Sequence, residues 1–99
     1  MNVSTTKKNN SCTLTVEGRI DTYTAPELEK EVNANLPYCD KMIFDVSKVD
    51  YVSSAGLRVF VYAQRELVNR GDVVLKGMNS GIEDVINMTG LNALLKIEK

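Results

Sequence analysis

The sequence predicts an α/β chain: one mixed β-sheet with helices packed on it, in the order β-β-α-β-α-β-α-β. Three observations predict it. Residues 12–20 alternate, with Cys12, Leu14 and Val16 on one side and Thr13, Thr15 and Glu17 on the other, the pattern of a half-buried strand. Residues 41–46 form a near-continuous apolar run, the pattern of a strand buried on both faces. Three segments with helical periodicity separate the later strands, as strand–helix–strand crossovers require. A chain of 99 residues fits one domain spanning 1–99, long enough for one core without staples.

The elements follow in order. Residues 1–7 read as a weak first strand, and Lys8-Asn9-Asn10-Ser11 as the turn of a hairpin into 12–20. Gly18-Arg19-Ile20-Asp21 closes that hairpin. Thr24-Ala25-Pro26-Glu27 opens a helix, with Thr24 as cap, Glu27 completing a capping box and Pro26 in the first turn. Ala25, Leu28, Val32 and Leu36 lie on one face of it, and Pro37 stops it. After the central strand a second helix is expected over about 55–70. Its inner stripe is read as Leu57, Phe60, Val61, Leu67 and Val68, with Arg58, Tyr62, Arg65 and Asn69 outward. Gly71 suits a left-handed position just past its end. Residues 73–76 form a short strand. Ser80-Gly81-Ile82-Glu83 reads as a second capping box, opening a helix with Ile82, Val85 and Ile86 inward and Gly90 at its end. Residues 94–97 are the last strand.

Composition removes several kinds of function. Net charge is −1, so no basic field points to direct nucleic-acid binding or to an anionic membrane. No apolar run approaches the ~20 residues of a membrane span, and the first residues lack the apolar core of a signal peptide. Cys12 and Cys39 are too few for a zinc site and read as a core residue and a loop thiol in a reducing cytoplasm. The chain has no histidine, which removes Ser-His-Asp and Cys-His catalysis and the commonest metal ligand. No phosphate-binding loop or dinucleotide fingerprint is present. Catalysis by carboxylates or lysine stays open, but the expectation is a protein that is not an enzyme, with no cofactor and no metal.

The stretch from residue 45 to 57 carries the chemistry that remains. Ser54 has Gly56 after it but Val52 before it, so the Gly-x-Ser-x-Gly elbow of hydrolases fails. Asp45 at a strand end invites comparison with phosphate-accepting carboxylates, but its ordinary role is to order the loop. Asp21 is likewise a turn aspartate by spacing, and Arg58 and Arg65 a solvated helix face. Gly77-Met-Asn-Ser-Gly81 has GxxxG spacing in a polar loop, where the motif has no membrane meaning. Ser53 and Ser54 sit where a strand turns into a helix. A serine there can cap the helix, bind an anion or carry a phosphate.

At this point three motifs are together specific. Asp45-Val-Ser-Lys-Val-Asp-Tyr-Val-Ser-Ser-Ala-Gly-Leu57 resembles the signature of STAS domains, and within them of bacterial anti-sigma factor antagonists. Gly18-Arg19-Ile20-Asp21, with Thr24 following, is similar to the family's Gly-x-x-Asp-x-x-Thr segment, and Met88-Thr89-Gly90-Leu91 resembles its Met-x-Gly-Leu segment. The resemblance covers nearly the whole chain. It implies a cytoplasmic partner-switching protein. The unphosphorylated form would bind an anti-sigma factor that is also a serine kinase of the histidine-kinase ATPase type, and so release a sigma factor. Phosphorylation of one serine would break the complex, and a PP2C-type phosphatase would reset it. Matched to the motif, that serine is Ser54, with Ser53 as second choice. Many members carry aspartate where this chain has Ser53. The partner surface is expected around Asp21, Ser53, Ser54, Gly56, Leu57 and Arg58, with Gly56 keeping it flat for a close backbone approach. The competing reading is a STAS scaffold or adaptor in a larger assembly, such as a lipid-transport ABC complex, independent of phosphate.

Overall fold

A computed structural model describes residues 1–98. Strands β1 (Asn2–Lys8) and β2 (Ser11–Ile20) form an antiparallel hairpin, with Lys8 opposite Ser11 and Asn2 opposite Glu17. Asn9 takes φ 56°, the left-handed conformation that a two-residue hairpin turn demands and that asparagine tolerates. Helix α1 (Ala25–Asn35) leads through a 3-10 turn (Leu36–Tyr38) into β3 (Lys41–Val52). Helix α2 (Ser54–Leu67) and strand β4 (Val73–Lys76) follow, then α3 (Ser80–Thr89), a 3-10 turn (Leu91–Ala93) and β5 (Lys96–Glu98). The sheet order is β1-β2-β3-β4-β5, with β2 to β5 parallel. The expected order of elements stands.

Each crossover steps one strand over in the same direction. Crossovers of one hand then deliver all three helices to the same face of the sheet. That corrects the expected two-faced burial of residues 41–46. Met42, Phe44 and Val46 are buried, while Ile43 and Asp45 between them remain partly exposed. The core lies under the helices, where Phe44 meets Phe60 edge-on with ring centroids 4.9 Å apart.

Several local expectations give way for identifiable reasons. Strand β3 runs to Val52 rather than stopping at Val46, because two register shifts let it continue beside residues 17–20 of β2. The buried stripe of α2 is Gly56, Val59, Phe60, Ala63 and Leu67; Leu57 and Val61 are only half-buried and Val68 is 59% exposed. The two small residues bring the helix onto the sheet, and a search for large apolar side chains passes over them. Thr24 does not cap α1 with its side chain, because its hydroxyl serves the preceding loop. Asn79, not Ser80, caps α3: its Oδ1 accepts the Ile82 N–H at 2.8 Å. Gly90 does end α3 in the left-handed conformation, but Gly71 is not left-handed. The last strand begins at Lys96, because Leu91–Ala93 turn and Leu95 is spent in the core.

Cys39, expected as a loop thiol, is buried beside Cys12. Burial first, and then the Cys12 thiol, push the Cys39 thiol up to about 12. The folded protein is therefore expected to take up no alkylating agent at pH 8 during the time in which the denatured chain takes up two. Intact mass reads this directly, and rapid single labelling of the folded form would contradict it.

Candidate functional site

The site lies at the carboxyl end of β2 and β3. Val52 pairs with Ile20, and the Ser53 N–H donates to the Ile20 carbonyl at 2.8 Å. The β2–α1 loop and the β3–α2 junction are thereby held side by side, which places Asp21 near Ser53 and Ser54.

The two serines have different tasks. Ser53 is extended (φ −86°, ψ 175°) and is the N-cap of α2; its Oγ accepts the Gly56 N–H at 3.4 Å, a long contact. Ser54 is the first helical residue and is exposed. Among the described residues its hydroxyl makes no hydrogen bond, so the fold does not use it.

Asp21 organises the neighbouring loop. Its Oδ1 accepts the Tyr23 N–H at 3.0 Å and the Thr24 N–H at 3.1 Å. The Thr24 hydroxyl accepts the Asp21 N–H and donates to the Arg19 carbonyl, both at 2.8 Å. Arg19 lays its guanidinium over the Tyr51 ring at 4.6 Å and its Nε 3.6 Å from Asp21. Neither Arg19 nor Tyr51 was singled out by sequence reasoning as a site residue; their shared register on β2 and β3 is the signal that brings them together. The Thr24 N–H chiefly, then the Tyr23 N–H, the Thr24 hydroxyl and Arg19, hold the Asp21 carboxyl below its ordinary 3.8, against a smaller opposing effect of burial. The folded state thus favours the ionised form. Its contribution to loop order is present at neutral pH and lost as pH falls through the lowered value. An NMR titration of the Asp21 carboxyl is expected to show a midpoint under 3.8; a midpoint at or above it would mean that the loop is not held this way.

Asp45 is equally committed. It accepts the Ser47 hydroxyl at 2.7 Å and the Ser47 N–H at 3.1 Å, and these bonds lower its carboxyl below the ordinary range. It orders the strand and does not reach the serines' end of β3.

Arg58 is exposed with Ser54 and Leu57 is half-buried beside them, but Gly56 is not at the surface. It is buried, and a Cβ there would lie 2.6 Å from Ile20 Cγ2 and 2.9 Å from Val52 Cγ1. Its smallness serves the packing of α2 on the sheet, not the approach of another backbone. Beside Ser54 an open groove of about 530 Å³ runs along α2 past Leu57, Arg58, Val61 and Arg65, with Glu29 of α1 on one side and Thr89 and Leu91 on the other. Tyr62 also lines it and donates its hydroxyl to Asn33 Oδ1. The 88–91 segment therefore meets the 45–57 segment in space. The groove has an apolar floor and two arginines, and among the described residues neither arginine has a carboxylate within 4 Å. Such a surface can bind another macromolecule; the described residues hold no cluster of metal-ligating side chains.

Known proteins resemble this chain over most of its length. The STAS domain model matches residues 2–99. The anti-sigma-B factor antagonist of Listeria monocytogenes is 32% identical over 85 residues, covering 84% of this chain and 75% of that protein. The crystal structure of an anti-sigma factor antagonist from Mycobacterium paratuberculosis superimposes with a TM-score of 0.90 at 21% identity, covering 98% of this chain and 84% of that one. The Bacillus cell fate determinant SpoIIAA in its phosphorylated form gives 0.78 at 13% identity, over 99% and 92%. With the three motifs, the sheet order and the match over nearly its whole length, the chain belongs to the STAS domain family.

Proposed function

We propose that this protein is an anti-sigma factor antagonist of the partner-switching type, acting as a regulatory binding protein and not as an enzyme. Unphosphorylated, it binds an anti-sigma factor, a serine kinase of the histidine-kinase ATPase type, and so frees a sigma factor in the cytoplasm. Phosphorylation of Ser54 breaks the complex, and a PP2C-type phosphatase restores it. The observation that carries the reading is the division of labour between the serines: Ser53 caps the helix, and Ser54 stands exposed and uncommitted beside a groove whose two arginines form no ion pair among the described residues. The docking surface comprises Asp21, Ser54, Leu57 and Arg58 with the groove beyond them, Ser53 beneath as cap and Gly56 as packing support. No described helix is long and apolar enough to cross a membrane.

The test is affinity capture from the native cell extract with the wild type and Ser54→Asp as parallel baits. Retention of a histidine-kinase-like ATPase by the wild type and its loss by the variant supports the switch. Retention of the same partner by both baits would instead mark an adaptor whose binding ignores Ser54.

A further inference from the structure

The groove beside Ser54 holds two arginines that, among the described residues, form no ion pair, although Glu29 also lines it. Arg58 is exposed and lines both the groove and the neighbouring depression of about 200 Å³ formed with Thr22, Pro26, Glu29 and Ala55. It therefore stands on the ridge between them, one helical turn beyond Ser54. Residues four apart on a helix share a face with their Cβ atoms about 5–6 Å apart. The guanidinium is planar, permanently charged and matched to phosphate oxygens.

Other charges nearby cannot take its place. Arg65 is eleven residues past Ser54, about 16 Å along the helix axis, beyond the reach of its side chain. Arg19 is already engaged with Tyr51 and Asp21. Asp21 is committed to the Tyr23 and Thr24 N–H groups, and Glu29, which lines both hollows with Arg58 without pairing to it, is the anion that a phosphate outcompetes for the guanidinium. We propose that a phosphate on Ser54 is clasped within the chain by the Arg58 guanidinium, so that modification adds negative charge and also withdraws a cation from the docking groove. The inference rests on the reading of Ser54 as the modified residue and adds how the modification acts. It gives the unpaired guanidinium of Arg58 two uses: in the unmodified form it faces the partner, and in the modified form it turns to its own chain.

The experiment places phosphoserine at residue 54 during synthesis of the full chain and follows its ³¹P resonance against pH. Arg58→Gln, a change at an exposed position, is expected to raise the phosphate's second pKa by about 0.5, while Arg65→Gln leaves it within about 0.1 of the wild type. An unchanged pKa in Arg58→Gln overturns the clasp, and so does an equal rise in both variants, which would reflect only the general field of the groove. Because the phosphate is installed without any kinase, a negative titration leaves Ser54 as the switch intact. Equal capture of the partner by wild type and Ser54→Asp would overturn the switch and leave the titration standing.

Discussion

Ser54→Asp is expected to fold as the wild type does and to bind its partner about 100-fold more weakly. The two halves have separate causes. The fold does not use the Ser54 hydroxyl, because the cap of α2 is Ser53. A carboxylate in the first turn meets the positive end of the helix dipole, which favours it by roughly 0.3–1 kcal/mol. Helix content by circular dichroism should therefore be unchanged, and the melting temperature equal or slightly higher. In a complex the same charge is removed from water against a partner surface. An uncompensated buried charge costs about 2–5 kcal/mol, and about 2.7 kcal/mol is 100-fold. Ser53→Ala should behave in the opposite way. It removes a cap, costing about 1 kcal/mol at most through so long a contact, and leaves the charge at the surface unchanged. Loss of helix in Ser54→Asp would make Ser54 a structural residue. Unchanged affinity with an intact fold would remove phosphorylation from the mechanism.

These particulars also show what a sequence reveals and what it withholds. The order of elements along the chain, the hairpin turn at Asn9 and the end of α3 at Gly90 were legible because each rests on the habits of a few adjacent residues. The exposure of Ser54 was legible once the strand-to-helix turn was placed. The inward face of α2 was not, because Leu57 and Val61 are as apolar as Val59 and Phe60, and only contact with β3 decides between them. The groove was hidden for a related reason. Glu29, Arg65 and Leu91 stand far apart in the chain and become neighbours only when α1, α2 and the segment after α3 share one face of the sheet. The two capping boxes failed by competition. Thr24 found better partners in the Arg19–Asp21 turn, and Asn79 lay one residue ahead of Ser80 with a side chain that reaches the same helix start.

Gly71→Ala should be among the most damaging single-methyl changes in the protein, at the opposite end of β3 from the site. A Cβ at Gly71 would lie 1.7 Å from the Asp40 carbonyl oxygen and 2.6 Å from its carbon. That obstacle is backbone, and it is pinned. The Asp40 N–H donates to the Asn10 carbonyl at 2.8 Å, the Met42 N–H donates to the Asp72 carbonyl at 3.0 Å, and Cys39 is buried next to Cys12. Gly71 is fixed from its own side as well, its N–H donating to Leu67 at 2.8 Å. Relief requires the entry to β3 to part from the β1–β2 turn or α2 to part from β4. Overpacking of this kind costs about 3 kcal/mol, and the stiffer unfolded chain returns about 0.4–1 kcal/mol. The remaining ~2 kcal/mol corresponds to a drop of roughly 10–15 °C in Tm for a chain of this size. Gly90→Ala is the control. It has open space for a Cβ but φ +77°, so its penalty is conformational, about 1–2 kcal/mol. Gly71→Ala melting above Gly90→Ala would mean that the Asp40 contact yields easily. Below its melting temperature Gly71→Ala should still release its partner when Ser54 is charged, because Asp40 and Gly71 lie where β3 and β4 begin and Ser54 lies just past the end of β3. The two variants together separate what holds the sheet from what switches the surface.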